Sequence, residues 1–265
     1  MNIRTMVAAI LFGTAPLLAD AQEAIGQVAL VTGSVTSGTG EQARALKAGD
    51  PIHEGQSITV AANSYASLKF ADGGRVLLRP NSEFTVESFK YAGPAPVAPV
   101  APVTPEAGTP AAPASVQGTA FFRLVRGGFR AISGLIGTVD RQSYRVTTPV
   151  ATIGIRGTDY EVQMCSDDCP VPPQARAAGT LVAATELTGL ELAQSEAGAG
   201  AAPGGGVIVA THEGSVEVKP PSGTVTFQVD AGQVLLALAN GQSFVLPAVP
   251  DMMLIDPAPS PEACE

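Results

Sequence analysis

Tryptophan is absent from this chain, histidine occurs only at 53 and 212, and Phe and Tyr together number thirteen in 265 residues. Stacking platforms for nucleobases or sugar rings are therefore scarce. Basic residues are also in short supply: 15 Lys and Arg stand against 24 Asp and Glu, for a net charge of −9. That balance opposes nucleic acid and anionic lipid as partners. Beyond the N-terminal segment no uninterrupted apolar run is long enough to cross a bilayer, so no membrane span is expected in the mature chain.

The usual signatures of catalysis are missing too. There is no G-x-S-x-G elbow, and two histidines leave little room for a serine or cysteine triad. The glycine run at 204–206 lacks the Lys and Ser/Thr of a phosphate loop. Both histidines open an H-E-G triplet, His53–Glu54 and His212–Glu213, and their convergence would supply four metal donors; turn-associated polar residues are the simpler account. No catalytic, cofactor-binding or metal residue is assigned. A secreted hydrolase using two carboxylates stays open as a distant alternative, because acidic residues cannot be sorted by spacing alone.

At the N-terminus, Arg4 precedes the apolar stretch MVAAILFGTAPLLA, and Ala19-Asp20-Ala21 follows as an A-x-A step. This order is that of a secretory signal peptide cleaved after Ala21, and the break at Pro16 argues against a retained anchor. The mature protein is expected in the periplasm or outside the cell. In that oxidising setting Cys165 and Cys169, in the run C-S-D-D-C, are expected to form a disulfide that pins a turn. Cys264 is left over, either free or available to another chain.

Alternation of period two runs through most of what remains. YASLKF sets Ala66, Leu68 and Phe70 on one face; EFTVE does so with Phe84 and Val86, TIGIR with Ile153 and Ile155, and DYEVQM with Tyr160, Val162 and Met164. TVTFQV repeats the pattern with Val225, Phe227 and Val229. Successive side chains of a strand point to opposite faces, so these segments read as half-buried strands separated by Gly, Pro, Asn and Asp turns. The fold class is all-β: short stacked strands in a solenoid-like or sandwich core. A loose echo places a glycine before a β-rich run at 31–38, 125–132 and 212–219, and a second recurs as AGDPIHEGQSITV and AGQVLLAL. Seven prolines fall between Pro94 and Pro113, marking a projecting insert over 92–115, and AGAGAAPGGG gives a second flexible stretch.

These pieces occur in a recognisable order. G-x-V-x-x-V-x-G at 26–33 is followed by LKAGDPIHEGQSITV, SYASLKFADGGRVLLRPNSEFTV, FFRLVRGGFRA and YRVTTPVATIGIRGTDYEV. The order resembles the FecR domain, with its L-x-x-G-D-x-I step, D-G-[GS] turn and T-P-x-A-x-x-x-x-R-G-T step, over about 25–165. Chain organisation follows: signal peptide 1–21, FecR-like β domain 22–165, variable insert 166–206 beginning at the cysteine pair, C-terminal β segment 207–246, and tail 247–265. The motif residues have physical readings of their own. Asp72, Gly73 and Gly74 suit a hairpin needing positive φ, Pro149 a strand edge or bend, and Gly157, between Arg156 and Thr158, a bulge. Arg156 is a candidate for a bidentate contact with a ligand carboxylate, with pairing to a structural carboxylate or to backbone carbonyls as its plainer role.

Family regulators place this domain behind a cytoplasmic anti-sigma segment and one membrane helix, a plan the leader does not match. The resemblance therefore implies the fold and a capacity to bind envelope components. The leading expectation is an exported, non-catalytic interaction or scaffold module whose partner is an outer-membrane protein, another envelope protein or a cell-wall component. The alternative is a periplasmic ligand or metal sensor reporting to a separate membrane protein.

Overall fold

The computed structural model describes residues 23–38, 40, 43–93, 116–139, 142–172, 205–220 and 225–254. The leader, most of the proline-rich insert, the stretch from 173 to 204 and the last residues with Cys264 lie outside the described residues.

The fold is all-β. In chain order the strands are β1 (Ala24–Thr32), β2 (Val35–Ser37), β3 (Arg44–Ala45), β4 (Pro51–His53), β5 (Ser57–Val60), β6 (Tyr65–Phe70), β7 (Arg75–Leu78), β8 (Glu83–Ala92), β9 (Gln117–Arg126) and β10 (Gly128–Ile132). A short helix α1 (Leu135–Val139) precedes β11 (Tyr144–Thr147), β12 (Thr152–Cys165), β13 (Gly206–Lys219), β14 (Phe227–Asp230), β15 (Val234–Leu238) and β16 (Ser243–Leu246), and α2 (Asp251–Leu254) follows. All sixteen strands join in one curled mixed sheet that forms a half-barrel. Its one parallel pair among the described strands is β9 with β11.

The long β12–β13 hairpin organises the curl. The first half of β12 pairs with β11, leading on through β9, β8, β5, β2 and β3; its second half pairs with β10, leading through β7, β6, β1 and β4. On the far side, β13 carries β14 along one half and β15, then β16, along the other. The hairpin bends between these halves, where Arg156 opposes Ser215 and Asp159 opposes Glu213, leaving Gly157 and Thr158 against Gly214. Gly157 and Gly214 both sit at positive φ, 55° and 76°, as a sharp bulge requires. Gly214 has no alternative: a Cβ there would lie 2.3 Å from the Gly157 carbonyl oxygen.

The two leaves face each other across one core. Phe122, Phe84, Phe129, Tyr160 and Tyr144 form a closed circuit of rings, with neighbouring centroids 5.3 to 6.5 Å apart, and Phe70 and Phe89 extend it. Such offset and edge contacts add to the burial of large apolar side chains. The Tyr160 hydroxyl donates to that of Tyr144 at 3.2 Å, which meets the polar requirement of two fully buried phenols. Burial pushes both hydroxyls well above the usual tyrosine range.

The glycine echoes have a geometric counterpart. Gly33, Gly127 and Gly214, one from each copy, share φ values of 75°, 75° and 76°. At two of them the corner is closed by a serine after an asparagine of positive φ: Ser64, after Asn63, accepts from the Ser34 amide, and Ser82, after Asn81, bonds the Gly128 amide. In the second echo, Gly49 and Gly232 have φ of 89° and 82°, and their amides donate to Val28 and Thr211 carbonyls, both at 2.7 Å.

Candidate functional site

The residues that shape the structure's candidate sites fall into two groups. The first builds corners. Gly73 takes positive φ in the β6–β7 hairpin, but Gly74 does not, and Asp72 has a different task from the one expected. Its carboxylate is buried and accepts from the Gly74 amide at 3.0 Å and, more distantly, the Ile136 amide at 3.4 Å, while its carbonyl accepts from Leu135. Asp72 thus ties the hairpin to the start of α1, and Gly134 is obligatory beside it, since a Cβ would meet the carboxyl at 2.3 Å. Burial raises the Asp72 pKa, with the bonds from Gly74 and Ile136 opposing the shift. Pro149 lies in the tight turn between β11 and β12, where the Thr148 hydroxyl accepts from the Ala151 amide at 2.9 Å and donates to its carbonyl. Thr158 is buried at the bulge, its amide held by the Ser133 hydroxyl. Arg156 is exposed, on the strand just before the bulge.

The cysteines are joined as expected: Cys165 and Cys169 form a disulfide with Cα atoms 5.1 Å apart. Both are buried and belong to a second apolar layer, on the outer face of the sheet, with Ile208, Val234, Leu236, Leu246 and Met253. The histidines do not converge. His53 Nδ1 lies 3.2 Å from the Glu23 carbonyl, and His212 turns to Glu161. No group of three or more His, Cys, Asp or Glu side chains is placed to hold a metal among the described residues.

The second group contains, besides His212, residues that sequence reasoning missed. On the outer face of β10, β12 and β13, and just past the end of β7, the structure assembles Arg79, Arg130, Asp159, Glu161 and His212. Arg79 and Glu161 are both only 5% exposed, and Arg79 Nη2 donates to Glu161 Oε2 at 2.7 Å. The other Glu161 oxygen is 3.0 Å from His212 Nε2 and 3.7 Å from Arg130 Nη1. Arg130 also grips Asp159 with two donors, at 3.0 and 2.7 Å. Strand register explains the meeting: Arg130 opposes Leu77 and Glu161, and Glu161 opposes Ala210, so the cluster occupies adjacent rows of one face. Two carboxylates and two guanidiniums balance there. Their bonds to one another make this a structural lock, with both carboxylates engaged by cations.

No family model and no curated protein matches the chain. Two solved structures of a Parabacteroides distasonis ATCC 8503 protein, provisionally described as an anti-sigma factor, are similar at 12% and 13% identity, both with a TM-score of 0.38. The match covers 72% of this chain and 59% of each of those chains, so this chain spans less than two thirds of their length. A likeness at that TM-score assigns neither family nor activity.

Proposed function

We propose that this chain is an exported, non-catalytic β-module of the bacterial envelope, similar to the FecR domain, that binds an envelope protein or wall component along its strand edges. One observation carries the reading. The sheet ends at β3 and β4 on one side and at β14 and β16 on the other. The first pair is guarded: β3 is two residues long and β4 begins with Pro51. The second pair is open among the described residues. β14 and β16 are each bonded along one side only, and Val245 on β16 and Val225 just before β14 are 54% and 49% exposed. An unguarded edge with apolar side chains is a template for strand addition, which uses main-chain bonds for affinity and flanking side chains for specificity.

The experiment is a cross-linked pull-down from envelope extract with the wild type and a Val225→Lys/Val245→Lys variant. The variant is expected to keep its melting temperature and lose the specific partner. Capture that is equal in both, or absent from both, overturns the edge reading. The export half is tested separately: protein recovered from the periplasm or medium should begin at Gln22, and a cytosolic product starting at Met1 would refute it.

A further inference from the structure

We propose that Pro247–Leu254 is a releasable strap, latched by Arg79, that covers an apolar strip on the outer face of a sheet complete without it. The strip is unusual for a strand surface. Residues 206–210 of β13 and all of β15 are buried on both faces: Val207, Val209 and Leu235 point into the main core, whereas Ile208, Val234 and Leu236 belong to the outer layer. The Cys165–Cys169 disulfide, Val171, Phe244 and Leu246 share this layer, and the part of the cover that the strap supplies is slight. Met253 is 2% exposed and inserts into the layer, Val249 and Met252 pack at its margin, and Leu254 is 64% exposed.

The backbone of the strap adds nothing to the sheet ladder. Its described main-chain bond is internal, from the Met253 amide to the Pro250 carbonyl. Among the described residues the hydrogen bond that fastens it to the body is from Arg79 Nη2, which is already bonded to Glu161 and also donates to the Met253 carbonyl at 2.9 Å. The charges beneath do not need the cover. Arg79 and Glu161 neutralise each other, Arg130 and His212 stand at the partly exposed rim of the same cluster, and contact with water would solvate all four. An element with few buried contacts and no ladder bonds opens well below the free energy of global unfolding.

Methionine oxidation of the full chain by peroxide, followed residue by residue by mass spectrometry in increasing sub-denaturing urea, tests this. If the strap opens on its own, Met253 oxidises at a rate almost independent of urea, because a local opening exposes little surface. Oxidation of Met253 that rises with urea as steeply as global unfolding would overturn the proposal. An Arg79→Met/Glu161→Leu variant tests the latch itself, since apolar replacement of both partners spares the sheet an orphaned charge. Met253 should oxidise about tenfold faster or more in that variant, as loss of a charge-assisted bond implies, at a melting temperature close to that of the wild type. An unchanged oxidation rate would refute the role given to Arg79.

Discussion

Single residues set the corners of this fold, and their tolerance to change should differ sharply with what surrounds them. Gly214 and Gly232 both lie at positive φ, but a Cβ at Gly214 collides with backbone whereas one at Gly232 meets open space. Gly232→Ala should therefore cost about 1 kcal/mol, the strain of the backbone conformation alone. Gly214→Ala should cost more than about 2 kcal/mol, because the β12–β13 bend must shift to admit it. Urea melts of the two variants check the ordering. Asp72 gives a pH-dependent case. Burial raises its pKa above the ordinary 3.8, so the folded chain keeps this proton where the unfolded chain has lost it. Stability from this site is fully present below that ordinary value and is lost as pH rises through the raised one. Asp72→Asn cannot ionise. The melting temperature of the wild type should fall relative to that of the variant as pH is raised from about 4 to about 7. A difference that moves the other way would mean that the backbone amide donors outweigh desolvation.

Elements were unevenly legible. Ala66, Leu68, Phe70, Phe84 and Val86 alternate as their period-two pattern implies, since one face of each strand meets the aromatic core and the other meets solvent. TVTFQV is the weaker case: β14 covers only Phe227–Asp230, Val229 alone in it is buried, and Val225 is exposed, because the strand lies at a sheet edge with little packed against it. DYEVQM fails at Glu161, which the pattern assigns to solvent. The outward face of that row is covered by the C-terminal segment, and its partner Arg79 is 82 residues away in sequence, a pairing no local period contains. The same segment, read as a tail, includes α2, whose single turn carries no periodic signal. A clue did exist in the uninterrupted runs GVIVA and VLLAL, since strands covered on both faces do not alternate. The lock itself makes a prediction. Glu161→Leu alone should cost about 3–5 kcal/mol by orphaning the Arg79 charge, and adding Arg79→Met should recover most of it. Similar losses in the single and double variants would show that the pair is uncoupled.

At the scale of the whole molecule, the question is whether the curled sheet is one cooperative body or two leaves that melt apart. The leaves meet in two ways. β12 and β13 run without interruption from one into the other, and Phe84 and Phe122 of one leaf touch Phe129 and Phe70 of the other. Opening either leaf would expose half of the aromatic circuit and strip β12 of one neighbouring strand. A partly unfolded state would keep the chain-entropy cost of the ordered leaf while losing the apolar burial that offsets it. The described residues should therefore unfold in a single transition whose calorimetric and van't Hoff enthalpies agree. The disulfide lies within the outer layer, off the inter-leaf core, and closes a short loop. Reducing it should lower stability by about 2 kcal/mol and leave the transition single. Two resolved transitions in the oxidised protein would show that the Gly157–Gly214 bend is a hinge between independent units and not a corner within one.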